Sequence, residues 1–253
     1  MFRQCKLISG KIKNYAAIVT ARAFVRAAMA QSSLGFYLRD IVFVLGKGLL
    51  VNVSTAAAKE FKMKDNQTAF LKGKKVILRP LDPKTDFELC LKWVNDWEVS
   101  QFLGRAMPVY RKQEEEWFDG HAKSKTDLCF AIEVIETGEL IGCMGLHEID
   151  WIHRTATTGA MIGDKRYWGK GYGTDAKMAL LDYAFNTLNL RKVSSKVVKF
   201  NKRSIAYSLK CGYKIEAQLR CEVFKKGRYW DVVILAVFKK DWLPLWRRYH
   251  QGP

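Results

Sequence analysis

From Lys75 onward the chain alternates short apolar runs with amphipathic stretches, and each predicts an element. Val76-Ile77-Leu78 predicts a strand, with Pro80 and Pro83 punctuating its exit. Helical spacing of apolar residues predicts helices over 87–94 and 114–123. Two apolar runs, 128–135 and 140–147, flank Glu136-Thr137-Gly138-Glu139, a hairpin signature. A second turn at 151–155 leads into a strand ending near Ile162. A helix over 174–188 follows, then an alternating strand over 193–198 and a short helix over 203–211 stopped by Gly212. Strands 217–224 and 229–238, joined by Lys225-Lys226-Gly227-Arg228, close the pattern. The order predicts an α/β (α+β) fold, a mixed sheet with helices on its faces.

The run Trp168-Gly169-Lys170-Gly171-Tyr172-Gly173-Thr174 carries the most chemistry. It follows the strand-like Gly159-Ala160-Met161-Ile162 and opens a helix with Ala176, Ala179, Leu180, Tyr183 and Ala184 at helical spacing. Alternate glycines let the backbone approach a ligand and leave N–H groups unpaired at the positive end of a helix dipole. That pattern suits a phosphate or pyrophosphate. A dinucleotide fingerprint fails, because Thr174 stands three residues after Gly171. A Walker A loop fails too, because the step from Gly163 to Gly169 is one residue too long and Gly171 follows Lys170. On the glycines alone, a turn without a ligand stays open.

Charge adds a constraint. The 253 residues hold 43 Lys or Arg against 25 Asp or Glu, a formal net charge of +18. The balance suits a polyanionic guest or proximity to ribosomal RNA. No basic stripe interleaved with aromatics marks a dedicated nucleic-acid module. The cysteines are scattered, with no Cys-x-x-Cys pair and no histidine cluster beside them, which points to reduced thiols in a cytoplasmic compartment and to no metal site.

Residues 1–62 differ in character. Residues 1–39 contain no acid, and Arg3, Lys6, Lys11, Lys13, Arg22, Arg26 and Arg39 lie among Ala, Ser and apolar residues. The stretch is a basic extension: a presequence, an accessory element, or an upstream segment read through before a start at Met63. The apolar run 41–53 is short and interrupted by Lys47, well below a membrane span.

Three motifs in order resemble the GCN5-related N-acetyltransferase (GNAT) family, most closely its subgroup similar to ribosomal-protein alanine and spermidine acetyltransferases. The family's phosphate loop reads Gln/Arg-x-x-Gly-x-Gly/Ala, which residues 168–173 fit except at Trp168. Asn201-Lys202-Arg203-Ser204-Ile205 with Lys210-Cys211-Gly212-Tyr213 matches its second signature. Leu78-Arg79-Pro80-Leu81 with Trp93-Val94-Asn95-Asp96 resembles its opening strand and helix. The resemblance covers about residues 72–245 and implies a GNAT-like domain with a mostly antiparallel central sheet.

It also implies the chemistry: direct transfer of an acetyl group from acetyl-CoA to an amine, with no metal. Backbone N–H groups of Gly169, Lys170, Gly171, Tyr172, Gly173 and Thr174 would hold the pyrophosphate, with Trp168 at the loop's start and Lys170 at its rim. Met161 and Ile162 would pair with the pantetheine arm, and Asn201 would contact it, or cap the helix continuing through Ser204, or both. The family commonly places a tyrosine general acid seven residues after that Asn, and some relatives a serine. Here Ser208 holds the position and Tyr207 precedes it. Helical geometry sets Ile205 and Leu209 on an apolar stripe, Arg203, Tyr207 and Lys210 on a wet face, and Ser204, Ser208 and Cys211 on a third, which favours Ser208 over Tyr207. Many relatives carry a Glu base where this chain has Thr157, so Glu148, Asp150 or a water chain must substitute. His147 reads as structural. The acceptor is a small-molecule or peptide amine: a protein N-terminus, polyamine, amino sugar or antibiotic amine. Use of another acyl-CoA, a degenerate GNAT-like protein binding CoA or a partner without turnover, and a homodimer all remain open.

Overall fold

A computed structural model describes residues 42–45, 49–52 and 69–251. The chain divides into two compact units, Met1–Asp65 and Asn66–Pro253. In the first, β1 (Val42–Leu45) and β2 (Leu49–Asn52) pair antiparallel, with Val42 opposite Asn52. The sequence reading of 1–62 as an extension otherwise lies outside the described residues. No helix among them is long and apolar enough to cross a membrane.

The second unit is built on a sheet of eight described strands: β3 (Leu71–Lys72), β4 (Val76–Pro80), β5 (Leu128–Val134), β6 (Leu140–Asp150), β7 (Thr155–Ile162), β8 (Lys192–Val198), β9 (Lys214–Lys225) and β10 (Arg228–Phe238). Their order is β3-β4-β5-β6-β7-β8-β10-β9. Every pairing is antiparallel except β7–β8, where the chain crosses over through a helix. This is the mixed sheet with helices on its faces that the pattern predicts, mostly antiparallel as the resemblance implies.

One face carries α1 (Phe87–Asn95), α2 (Trp97–Ser100) and α3 (Arg111–Lys123). Phe87, Cys90 and Trp93 are the buried residues of α1, at i, i+3 and i+6. The Leu78-Arg79-Pro80-Leu81 motif proves to be a structural joint. Arg79, buried on β4, forks onto Asp86 at 2.7 and 2.9 Å and reaches Glu133 on β5 at 2.8 Å, fixing the strand exit ahead of α1.

The other face holds the main core. There α4 (Tyr172–Asp182) is buried without interruption from Asp175 to Leu181 and runs on into a π-helical turn, Tyr183–Thr187. The helix expected over 174–188 thus starts two residues earlier and changes its winding near its end. After it come α5 (Lys202–Lys210) and α6 (Lys239–Gln251), the latter absent from the sequence expectation because Pro244 interrupts its pattern. Trp242 is fully buried, and its indole N–H, which has no hydrogen-bond partner among the described residues, offsets part of what burying the ring contributes. It stacks on Trp246 at 5.0 Å, and Trp246 stacks on Tyr249 at 5.3 Å.

Two expectations for α5 are corrected. Leu209, placed on the apolar stripe, is 44% exposed, and Tyr207, placed on the wet face, is half-buried against the core. The helix is rotated so that Ser208 and Cys211 point inward instead.

Candidate active site

Strands β7 and β8 pair only from Thr155–Lys192 to Thr157–Ser194. Beyond that point they part, leaving a V-shaped opening between 158–162 and 195–198. Hydroxyls tie its apex: Thr158 Oγ1 donates to Ser194 O at 3.0 Å, and Ser194 Oγ donates to Ala156 O at 3.1 Å.

Ladder geometry decides which backbone groups face the opening. Gly163 N–H donates to Ile141 O on β6 at 2.9 Å. Antiparallel alternation then turns Met161 and Gly159 toward β6, and Ala160 and Ile162 toward the open side. Of the two residues the resemblance assigns to the pantetheine arm, Ile162 presents its backbone there and Met161 does not. Ile162 O also accepts from the Trp168 indole N–H at 2.7 Å. Ala160 is the open-side residue that the sequence reading missed.

At the wide end lies the glycine loop. Gly169 and Gly171 have φ of +72° and +88°, and Gly171 is the N-cap of α4. L-residues adopt this conformation at a cost, so glycine suits both positions. The first helical bond runs from Asp175 N–H to Gly171 O. Among the described residues, no acceptor meets the backbone N–H groups of 169–174, which converge at the positive end of a helix dipole.

Lys75, at the start of β4, donates through Nζ to Lys170 O at 3.1 Å and lies 5.5 Å over the Tyr172 ring. It brings a second cation to a loop that already carries Lys170. A clasp holds the loop in place. Buried Asp175 accepts from the backbone N–H groups of Lys74 at 3.0 Å, Lys75 at 2.7 Å and Val76 at 3.0 Å, and from the Tyr249 hydroxyl. A Cβ at Gly73 would lie 2.3 Å from the Asp175 carboxylate, so only glycine allows this approach. Burial, then the carboxylate, raises the Tyr249 pKa.

The second motif closes the other lip. Asn201 caps α5, its side chain accepting from Ser204 N–H at 3.1 Å. Arg203 stacks 3.9 Å over Trp168, and Phe102, Phe200 and Trp230 continue an aromatic rim. Ser208 is fully buried and accepts from Lys177 Nζ at 3.3 Å.

On the α1–α3 face, a β-bulge between His147 and Asp150 puts Glu148 at φ +53°. The bulge brings the Glu148 carboxylate beside Thr157, whose hydroxyl donates to it at 3.3 Å. His147 sits next to it, 3.4 Å from Asp127, with its pKa lowered by burial and by His121. Asp150 turns away, accepting from Ile152 and His153 N–H.

A slot ending in a helix N-terminus, with a carboxylate at its apex, suits a phosphorylated thioester and an amine. Comparison with known proteins decides the family. Residues 75–214 match the family described as "Acetyltransferase (GNAT) domain". The chain belongs to the GNAT acetyltransferase family.

Among GNAT relatives, the spermidine N(1)-acetyltransferase of Escherichia coli K12 is 32% identical over 66% of this chain and 88% of its own. An uncharacterized N-acetyltransferase, p20, of Bacillus licheniformis is 29% identical over 66% and 95%. Among solved structures, the spermidine N-acetyltransferase from Vibrio cholerae in complex with CoA and spermine superposes with a TM-score of 0.62 at 27% identity, over 67% of this chain and 98% of that one. Among the described residues, no group of three His, Cys, Asp or Glu is placed to hold a metal.

Proposed function

We propose that this protein transfers an acetyl group from acetyl-CoA to a primary amine by direct attack within a ternary complex. The observation that carries the reading is the row of unpartnered N–H groups over 169–174 at the mouth of the β7–β8 opening. The pyrophosphate is held by that row, with Lys75 and Lys170 neutralising charge, and the pantetheine arm lies along Ala160 and Ile162. Asn201 uses its oxygen for the cap, which leaves its NH₂ group to donate to the arm.

Glu148 is the general base. The bulge supplies beside Thr157 the carboxylate that the strand itself lacks, and this favours turnover over a degenerate, binding-only role. Ser208 takes the general-acid position at the apex, ahead of Tyr207, whose ring is turned onto Lys177. The acceptor is a polyamine or the amino terminus of a peptide. The spermidine acetyltransferases among the relatives support the first. The free cysteines Cys90, Cys129, Cys143, Cys211 and Cys221 support a reducing compartment such as the cytoplasm.

The test is thiol release from acetyl-CoA against spermidine, spermine, amino sugars and short peptides, with product masses. One acceptor giving equal amounts of thiol and singly acetylated amine supports the reading. Release that no amine accelerates would contradict it.

A further inference from the structure

Lys177 is a lysine in the middle of the core. It lies on α4, exposes 0% of its surface, and has no carboxylate partner among the described residues. Its polar contacts are two hydroxyls, Thr158 Oγ1 at 3.4 Å and Ser208 Oγ at 3.3 Å. The Tyr207 and Tyr213 rings lie 4.4 and 4.6 Å from Nζ. Burial works against the ammonium, while the Tyr207 and Tyr213 phenols and the Cys211 thiol work for it and hold its pKa above the ordinary lysine value. The charged form is favoured at rest, so an ammonium with no carboxylate partner among the described residues stands beside Ser208, available to an anion that forms during the reaction.

The fold says where that anion would form. An arm entering past the glycine loop and running along Ile162 and Ala160 delivers its sulfur to the Thr158 end of the slot, where β7 and β8 meet. Thr158 comes from β7; its hydroxyl donates to Ser194 O and so receives from Lys177 and from Tyr213 at 3.1 Å. Ser208, Tyr207 and Cys211 come from α5 and its end, and the Cys211 thiol donates to Thr174 O at 3.8 Å. The phenol of Tyr213 is pushed up to about 12 by burial and stays neutral. Lys177 is the group among these that carries positive charge.

We propose that Lys177 is a positioning residue for the departing thiolate, acting through Ser208. An ammonium has only hydrogens to offer. By donating to Ser208 Oγ it leaves the serine's own proton free for another acceptor, the sulfur. The inference rests on the acetyl-CoA reading above.

The amine nitrogen attacks the thioester carbonyl and forms the C–N bond, while the C–S bond breaks with its electron pair on sulfur. Ser208 donates a hydrogen bond to the sulfur while Lys177 donates to Ser208 Oγ, and the thiolate so held takes its proton from solvent as it leaves. Glu148 accepts the proton lost by the amine, and solvent discharges Glu148 after the products leave. The products are an amide and a free thiol.

The experiment titrates the thiol of bound CoA by thiolate absorbance in the full chain, comparing wild type with Lys177→Met and Lys177→Gln. A cation near the sulfur should hold the bound thiol about one unit or more below the value measured for free CoA under the same conditions. Both variants should bring it back up. In steady state, Lys177→Met should lower kcat about 100-fold and leave KM for acetyl-CoA within about twofold. Adding it to Ser208→Ala should cost nothing further, because both act in one relay. Ser208→Ala also stands by itself if neither Lys177 variant folds. It should lower kcat, and should no longer hold the bound thiol down as far as wild type does.

A bound thiol that titrates alike in wild type and variants overturns the inference and leaves the acetyl-CoA reading intact. So does a Lys177→Met protein that melts lower but turns over at the wild-type rate, since Lys177 would then be structural alone. Failure of wild type to bind CoA overturns the acetyl-CoA reading and the inference with it.

Discussion

Replacing Gly171 by Asp tests the phosphate loop with separable effects. At φ +88° an L-residue costs about 1–2 kcal/mol. Space adds little to that: the nearest atom to a Cβ there is Lys75 Nζ, at 3.7 Å. In a unit of this size each kcal/mol moves Tm by roughly 2–4 °C, so the free variant should melt about 2–8 °C below wild type. The ligand effect should be larger. Acetyl-CoA at a hundred times its Kd stabilises the wild type by about 2.7 kcal/mol, or roughly 5–11 °C. The new carboxylate would sit among the N–H groups meant for phosphate and beside Lys75, and should abolish that gain. Fluorescence-monitored melting with and without acetyl-CoA reads both quantities. A variant that still rises as far as wild type would show that residues 169–174 do not hold the pyrophosphate.

Three further outcomes are expected. Glu148→Gln should lower kcat about 10²–10⁴-fold with little change in acetyl-CoA binding, which steady-state kinetics check. Asp175→Ala leaves the backbone N–H groups of Lys75 and Val76 and the Tyr249 hydroxyl without their acceptor, while Lys74 N–H keeps the Tyr249 oxygen at 2.9 Å, so denaturant unfolding should show a loss of about 2 kcal/mol or more. A chain starting at Met63 retains the whole unit Asn66–Pro253 and should bind CoA as the full chain does, which calorimetry can compare.

The parts legible in the sequence were those where local chemistry and fold agree. Alternate glycines after an apolar strand predicted a turn open to close approach and its exposed N–H groups, and the left-handed φ of Gly169 and Gly171 came from the structure. The Asn201 cap followed from a local rule, and the structure bears it out. Glu148 was nameable only as a carboxylate near a turn; the bulge that aims it at Thr157 depends on how β6 pairs with β7.

Lys75, Asp175 and Lys177 were not legible. Lys75 and Asp175 meet the loop and the β3–β4 turn across about a hundred residues of chain. Lys177 carried no signal because a lysine in a helical pattern ordinarily lies in water, whereas α4 is buried continuously from Asp175 to Leu181. The same assumption misplaced Leu209 and Tyr207 on α5.

The most direct test of the central claim follows one labelled acetyl group. Wild type and Gly171→Asp are incubated side by side with acetyl-CoA labelled in the acetyl carbon and the best acceptor amine, and the label is located by mass spectrometry. The account predicts label on the amine nitrogen with wild type, matched by free thiol, and almost none with the variant. Label appearing on the amine equally with both proteins, or with neither, would contradict it.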